Sequence, residues 1–133
     1  MRKLIIVQAR MGSSRLPGKV LKEVCGKTIL EHLVIRLKRV KQIDKIVVAT
    51  TIEEQDNQIV DLCIKINTPF YRGSEDDVLS RYYEAALKDR ADLVIRVTSD
   101  CPLIDPCIID SVVSFYISNQ DKVDYVSNCL NRT

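Results

Sequence analysis

Tryptophan is absent from the 133-residue chain, phenylalanine occurs twice, and aromatic residues make up only 5% of it. Surfaces that stack single-stranded bases interleave aromatics with cations, so this composition argues against a nucleic-acid partner. The single histidine, His32, falls in a stretch with helical spacing rather than at the end of a strand, and reads as a surface or boundary residue. No Ser–His or Cys–His nucleophile pair is expected. No apolar run approaches the roughly 20 residues a membrane span requires. The run that opens at Leu4 is broken by Gln8 and Arg10, too soon for a secretory leader, whose apolar region runs about 7–15 residues. The five cysteines (25, 63, 101, 107 and 129) are odd in number and lack C-x-x-C spacing, which predicts reduced thiols and a cytoplasmic protein without membrane insertion. Glycine and proline number four each, and no linker, repeat or low-complexity segment interrupts the chain, so residues 1–133 read as one domain.

Charge is present in both signs but unevenly placed. Residues 1–50 carry 12 Lys/Arg against 3 Asp/Glu, and residues 51–133 carry 8 against 15. Part of the basic excess reads as the end of a helix, where Arg36, Lys38, Arg39 and Lys41 suit the helix dipole. The rest centres on "QARMGSSRLPGKVL", residues 8–21.

The β-branched runs 3–8, 45–50 and 92–98 lack clean alternation, as strands covered on both faces do, and 124–128 reads as a fifth strand. Helical patterns lie between them. Thr28 and Glu31 form a capping box ahead of a stripe comprising Ile29, Leu30, Leu33, Val34, Leu37 and Val40. Ile59, Leu62, Cys63 and Ile66 share one face of a helix in 53–66. Ser74 with Asp77 opens another helix, with Val78, Leu79, Tyr82, Ala86 and Leu87 inward. Asp105 followed by Pro106 opens the last, with Ile109, Val112, Val113 and Tyr116 inward. The alternation predicts an α/β fold of three layers around a mostly parallel sheet with right-handed crossovers.

Ligands of open α/β sheets bind at the carboxyl ends of the strands. The loop 9–19 leaves the first strand there, bringing Arg10, Arg15 and Lys19 with small residues that let a ligand approach the backbone closely. Arginine grips phosphate oxygens bidentately and lysine acts as a point charge, so the loop suits a polyphosphate. It is not a Walker A loop: Gly12 and Gly18 are one residue too far apart, and Val20 stands where that motif has a hydroxyl. The bland alternative is that Leu16-Pro17-Gly18 forms an ordinary turn with solvated cations around it. Asp100, in "VTSDCPLIDP", follows a later strand. A lone carboxylate facing such a loop suits Mg²⁺, which takes one or two protein carboxylates plus substrate phosphates. Asp100 as a turn cap is the alternative, and Asp105 reads as a helix cap only.

The succession R-x-x-S-x-R-L-P-G-K, V-A-T and S-D-x-P-L-I resembles the sugar cytidylyltransferases, which activate acylneuraminate and 3-deoxy-manno-octulosonate with CTP. "QARMGSSRLPGKVL" and "RGSEDDVLSRYYEAA" most resemble the spore coat polysaccharide biosynthesis protein F group. The resemblance covers essentially the whole chain. It implies a Rossmann-like nucleotide-diphospho-sugar transferase fold, and a cytoplasmic enzyme that transfers CMP from CTP to a sugar acid for cell-surface or spore-coat polysaccharide. It places Arg10, Ser14, Arg15 and Lys19 on the phosphates, Ala9, Thr50 and Ser74 around the nucleoside, and Asp100 on Mg²⁺. Glu75-Asp76-Asp77 departs from the S-G-T-D pattern of the octulosonate enzymes and carries no role over. Family members are longer, and their later half supplies sugar contacts, a second metal acid and homodimer contacts. The chain therefore resembles an N-terminal nucleotide-binding half, expected to bind nucleotide, turn over slowly and self-associate through a sheet edge near Asn128. Two other classes fit the fold: a nucleotide-sugar-dependent glycosyltransferase, disfavoured by the lack of an Asp-x-Asp pair at Asp100, and a catalytically idle nucleotide-binding fragment.

Overall fold

The structure, a computed structural model, describes residues 2–12, 18–74, 78–98 and 106–119; the side chains of residues 19, 78–82, 98 and 119 are not described. The elements run β1 (Lys3–Gln8), a short 3-10 helix (Lys19–Leu21), β2 (Glu23–Val24), β3 (Lys27–Thr28), α1 (Ile29–Leu37), β4 (Lys45–Thr51), a second 3-10 helix (Glu54–Asp56), α2 (Asn57–Lys65), β5 (Phe70–Gly73), α3 (Val78–Lys88), β6 (Leu93–Thr98) and α4 (Pro106–Asn119).

Four strands form one parallel sheet in the order β5-β4-β1-β6. β1 pairs with β4 from Leu4↔Lys45 to Gln8↔Ala49, and with β6 from Lys3↔Leu93 to Gln8↔Thr98. The central strand β1 carries no polar face because both its faces are covered. Leu4, Ile5, Ile6 and Val7 are all 0% exposed. Ile5, Val7 and Val48 pack with residues of α1, α2 and α4, whereas Leu4, Ile6, Val47 and Ala49 pack with Ala85 of α3 on the other face. This is the three-layer α/β architecture expected. The chain steps from β1 to β5 with helices on one face, and reaches β6 across the other face, as right-handed crossovers require. The order therefore reverses beside β1, and the crevice between the carboxyl ends of β1 and β6 is the switch point of the sheet.

The apolar stripes expected around α1 and α2 face inward, with Val40 and Ile66 placed beyond the helix ends rather than on them. Ile29, Leu30, Leu33, Val34, Leu37 and Val40 are buried, as are Ile59, Leu62 and Cys63, and Ile66 is half-buried. The Thr28 hydroxyl accepts the Glu31 amide at 3.0 Å, half of the capping box. In α4, Ile109 and Val113 are buried, with Val112 and Tyr116 half-buried.

Four features differ from expectation. α1 ends at Leu37, so Lys38, Arg39 and Lys41 lie beyond it rather than on its last turn. The chain turns there because Val40 must enter the core, and Asp110 of α4 accepts the Lys41 and Gln42 amides at 3.0 and 2.9 Å. Leu87 is 58% exposed, not inward; Ala85 takes the buried place. β5 escaped the hydrophobic pattern because Pro69 and Arg72 leave its run short and mixed. The β2–β3 hairpin is also new. Its two-residue turn, Cys25-Gly26, has φ of 54° and 81°, the positive pair that matches strand twist. His32 is half-buried on α1 and bonds the Val24 carbonyl through Nε2 at 2.6 Å, tying this hairpin down. The expected strand 124–128, the Asn128 edge, Asp105 and the inward side chains Val78, Leu79 and Tyr82 lie outside the described residues.

Candidate functional site

The carboxyl edge of the sheet is assembled from four strand ends. Gln8 of β1 is in register with Ala49 of β4 and Thr98 of β6, and Thr50 and Thr51 of β4 are in register with Arg72 and Gly73 of β5. The Ala9 amide extends the β1–β4 ladder by donating to the Ala49 carbonyl at 3.0 Å. Ala9, Arg10, Thr50 and Ser74 thus all lie along this edge. Ala9 and Thr50 are 1% and 0% exposed. Ser74 is exposed and Arg10 half-buried. Among the described residues the Thr50 hydroxyl is buried without a hydrogen-bond partner. Ser14, Arg15 and Asp100 lie outside the described residues, as does the Lys19 side chain. The Lys19 backbone opens the short helix Lys19–Leu21 directly after Gly18.

The neck of the first loop is closed by the chain itself. The Gly18 amide donates to the Met11 carbonyl at 2.8 Å, and the Leu21 amide donates to the Gly18 carbonyl at 3.1 Å. Gly18 has φ +75°, a conformation that an L-residue enters only with strain. Arg10 thus precedes, and Lys19 follows, a fixed two-residue base.

A second group of residues, which no sequence motif marks, builds the floor beside that neck. Asp56 is 1% exposed. Its Oδ1 accepts the Met11 amide at 2.7 Å, and its Oδ2 accepts the Thr51 hydroxyl. Thr51 Oγ1 in turn accepts the Glu53 amide at 3.1 Å. Arg72 reaches over from β5: Nε donates to the Thr51 carbonyl at 2.7 Å, Nη2 to the Glu53 carbonyl at 2.8 Å, and Nη1 to Asn57 Oδ1 at 2.7 Å. In the sequence Asp56 is one acid of "IEEQDN", and nothing local distinguishes it from helix-start acids. Only its place after a strand end and before α2 hints at this edge.

The comparisons with known proteins bear on the whole of this arrangement. A profile of the cytidylyltransferase family matches residues 4–133. The chain belongs to the cytidylyltransferase family. It is 46% identical over 122 residues to an uncharacterized protein of Methanocaldococcus jannaschii, spanning 92% of this chain and 49% of that protein. It is 36% identical to the spore coat polysaccharide biosynthesis protein SpsF of Bacillus subtilis, spanning 94% of this chain and 54% of SpsF. Among solved structures it superposes on a cytidylyltransferase from Leptospira borgpetersenii with TM-score 0.95 and 40% identity, over all of this chain and 56% of that one. A CMP:2-keto-3-deoxy-manno-octonic acid synthetase complexed with CTP matches with TM-score 0.79 and 27% identity, over 90% of this chain and 49% of that one. The chain thus spans about half the length of the curated relatives it matches. The fold is the Rossmann-like nucleotidyltransferase fold expected from the resemblance. No helix among the described residues is long and apolar enough to cross a membrane.

Proposed function

We propose that residues 1–133 form the nucleotide-binding domain of a CTP-dependent cytidylyltransferase that activates a sugar acid as its CMP-sugar, in the cytoplasm, for cell-surface or spore-coat polysaccharide. The observation that carries the reading is the neck at Met11 and Gly18. It holds Arg10 and the Lys19 backbone, the two ends of a cation-bearing loop, together at the carboxyl edge of a parallel sheet, the edge at which such folds bind nucleotides. Membership of the family and the likeness to a CTP-complexed synthetase support CTP over other nucleotides. They also favour cytidylyl transfer over glycosyl transfer.

In this reading Arg10, Ser14, Arg15 and Lys19 hold the triphosphate. The nucleoside lies against the strand ends at Ala9, Thr50 and Ser74. A hydroxyl of the sugar acid attacks the α-phosphorus, a new P–O bond forms, and the α–β anhydride breaks to release pyrophosphate. Arg10, Arg15 and Lys19 stabilise the charge that gathers on the leaving pyrophosphate, and fixed placement supplies much of the remaining acceleration. Asp100 lies two residues beyond Thr98, whose register partner Gln8 feeds the loop, and a carboxylate there has the hard oxygen chemistry that Mg²⁺ selects. Bound there, Mg²⁺ would neutralise phosphate charge. The full-length protein is read as a homodimer.

Calorimetric titration with CTP tests the reading. Lys19→Ala should weaken binding about tenfold or more and flatten its salt dependence, since one cation no longer meets the phosphates. Asp100→Asn should remove the Mg²⁺-dependent part of binding while the chain stays folded. Unchanged CTP affinity in Lys19→Ala, or tighter binding of UDP-sugars than of CTP, would sink the reading.

A further inference from the structure

We propose that Asp56 is a positioning residue for the triphosphate loop: it fixes the neck from which Arg10 and Lys19 diverge. The inference deepens the proposed function and rests on the reading of that loop as the phosphate site.

Asp56 immediately precedes α2, a place where aspartate ordinarily turns back to bind the first amides of the helix. Here it makes no such cap. Both carboxyl oxygens instead face away from the helix, one to the Met11 amide and one to the Thr51 hydroxyl. Helix capping therefore does not account for a polar group with 1% exposure, and a buried carboxyl group stays in place only where its hydrogen bonds are made.

The two hydrogen bonds link different parts of the edge. Met11 has both backbone groups committed, its amide to Asp56 and its carbonyl to Gly18. Thr51 is anchored independently, since Arg72 holds its carbonyl and the Glu53 amide holds its hydroxyl. Asp56 thus transmits the rigidity of β4 and β5 to a segment that has left the sheet. Arg10 is the residue before Met11, and Lys19 the residue after Gly18. A shift at Met11 moves both cations. Displacing a positioned binding group by as little as about 1 Å weakens what it holds.

The test is a double-mutant cycle on CTP binding with Mg²⁺ present, using Asp56→Asn, Lys19→Ala and the double variant. Amide exchange at Met11 is followed in parallel. Asparagine keeps the shape but loses the charge, and its single Oδ1 can accept from only one of the Met11 amide and the Thr51 hydroxyl, whose bond to Asp56 must otherwise reverse. Asp56→Asn should weaken CTP about tenfold, as removing one hydrogen bond to a positioned group does. In the Lys19→Ala background the same change should cost about twofold or less, because the two act through one loop. Met11 exchange should accelerate while Ile5, Ile6 and Val7 keep their protection. Additive effects, or unaltered Met11 exchange, overturn the inference and leave the phosphate-loop reading standing. Lys19→Ala without effect removes the reading and this inference with it. Should Asp56→Asn fail to fold, Thr51→Val, which deletes the other partner of the same carboxyl group, enters the identical cycle with the same expected coupling.

Discussion

Gly18 and Met11 are joined by one backbone hydrogen bond of 2.8 Å, and that bond brings positions 10 and 19 to the two sides of a single neck. The loop between them carries Ser14 and Arg15 in sequence. Cations several residues apart in sequence thereby become candidates for one ligand. The closure depends on a residue with φ +75° at position 18.

Gly18→Ala should therefore destabilise the chain by about 1–2 kcal/mol, the cost of forcing a Cβ into the left-handed region. Crowding adds little, because the new Cβ would meet the Met11 Cε at 3.4 Å, an ordinary contact. Gly18→Asn should cost less, since asparagine tolerates this conformation better. Urea denaturation of the three chains checks the order. Equal stability of glycine and alanine chains would show that the neck relaxes freely.

Thr50→Val separates structure from binding. The hydroxyl is wholly buried with no partner among the described residues, so an isosteric methyl should leave stability within about 1 kcal/mol of the parent or raise it. If Thr50 lies against the nucleoside as proposed, CTP affinity should fall about tenfold at unchanged melting temperature. Calorimetry beside a thermal melt reads both. A large drop in stability would mean that this hydroxyl serves the fold instead.

The core was legible in the sequence because burial leaves a periodic trace. The apolar runs at 3–8, 45–50 and 92–98 and the stripe from Ile29 to Val40 needed no tertiary knowledge. β5 was not legible, since four residues including Arg72 carry too little apolar signal, and its strand state is imposed by the β4 ladder from Val48↔Phe70 to Thr51↔Gly73. In the site, the loop cations announced themselves through a short motif with its own chemistry. Asp56 and Arg72 did not. Their roles rest on hydrogen bonds to residues 45 and 21 positions away in sequence, Met11 and Thr51, and no local pattern encodes such pairings.

Arg90→Gly should stabilise the chain by about 1 kcal/mol. α3 ends with Ala91 donating to the Ala86 carbonyl at 3.0 Å and Arg90 to the Leu87 carbonyl at 3.1 Å, a paired closure that places Arg90 at φ 54°. Glycine adopts that conformation without the penalty a side chain carries, and part of the gain is offset by the extra freedom it gives the unfolded chain. A rise in the urea midpoint at constant slope is the expected record. No rise would mean that the arginine side chain stabilises the fold by as much as the strain costs.

Cys63 supplies a pH prediction with a definite sign. It is 0% exposed in the packing of α2 against the sheet. Burial pushes its thiol from 9.0 up to about 11, because a thiolate would lose its hydration there. Well below pH 9 the thiol is neutral in folded and unfolded chains alike, and this group leaves stability unaffected. As pH rises from about 9 to 11, the unfolded chain releases this proton while the folded chain retains it, so stability falls by about 2 kcal/mol at the upper end. Cys63→Ala removes that component. It lowers stability at neutral pH through the cavity it leaves, yet the gap between variant and parent should narrow as pH rises. Urea titrations of both chains at pH 8, 9.5 and 11 check this, and a constant gap would refute it. The same burial orders thiol reactivity: in the native chain iodoacetamide should label the exposed Cys25 and Cys107, and Cys63 should label only after unfolding.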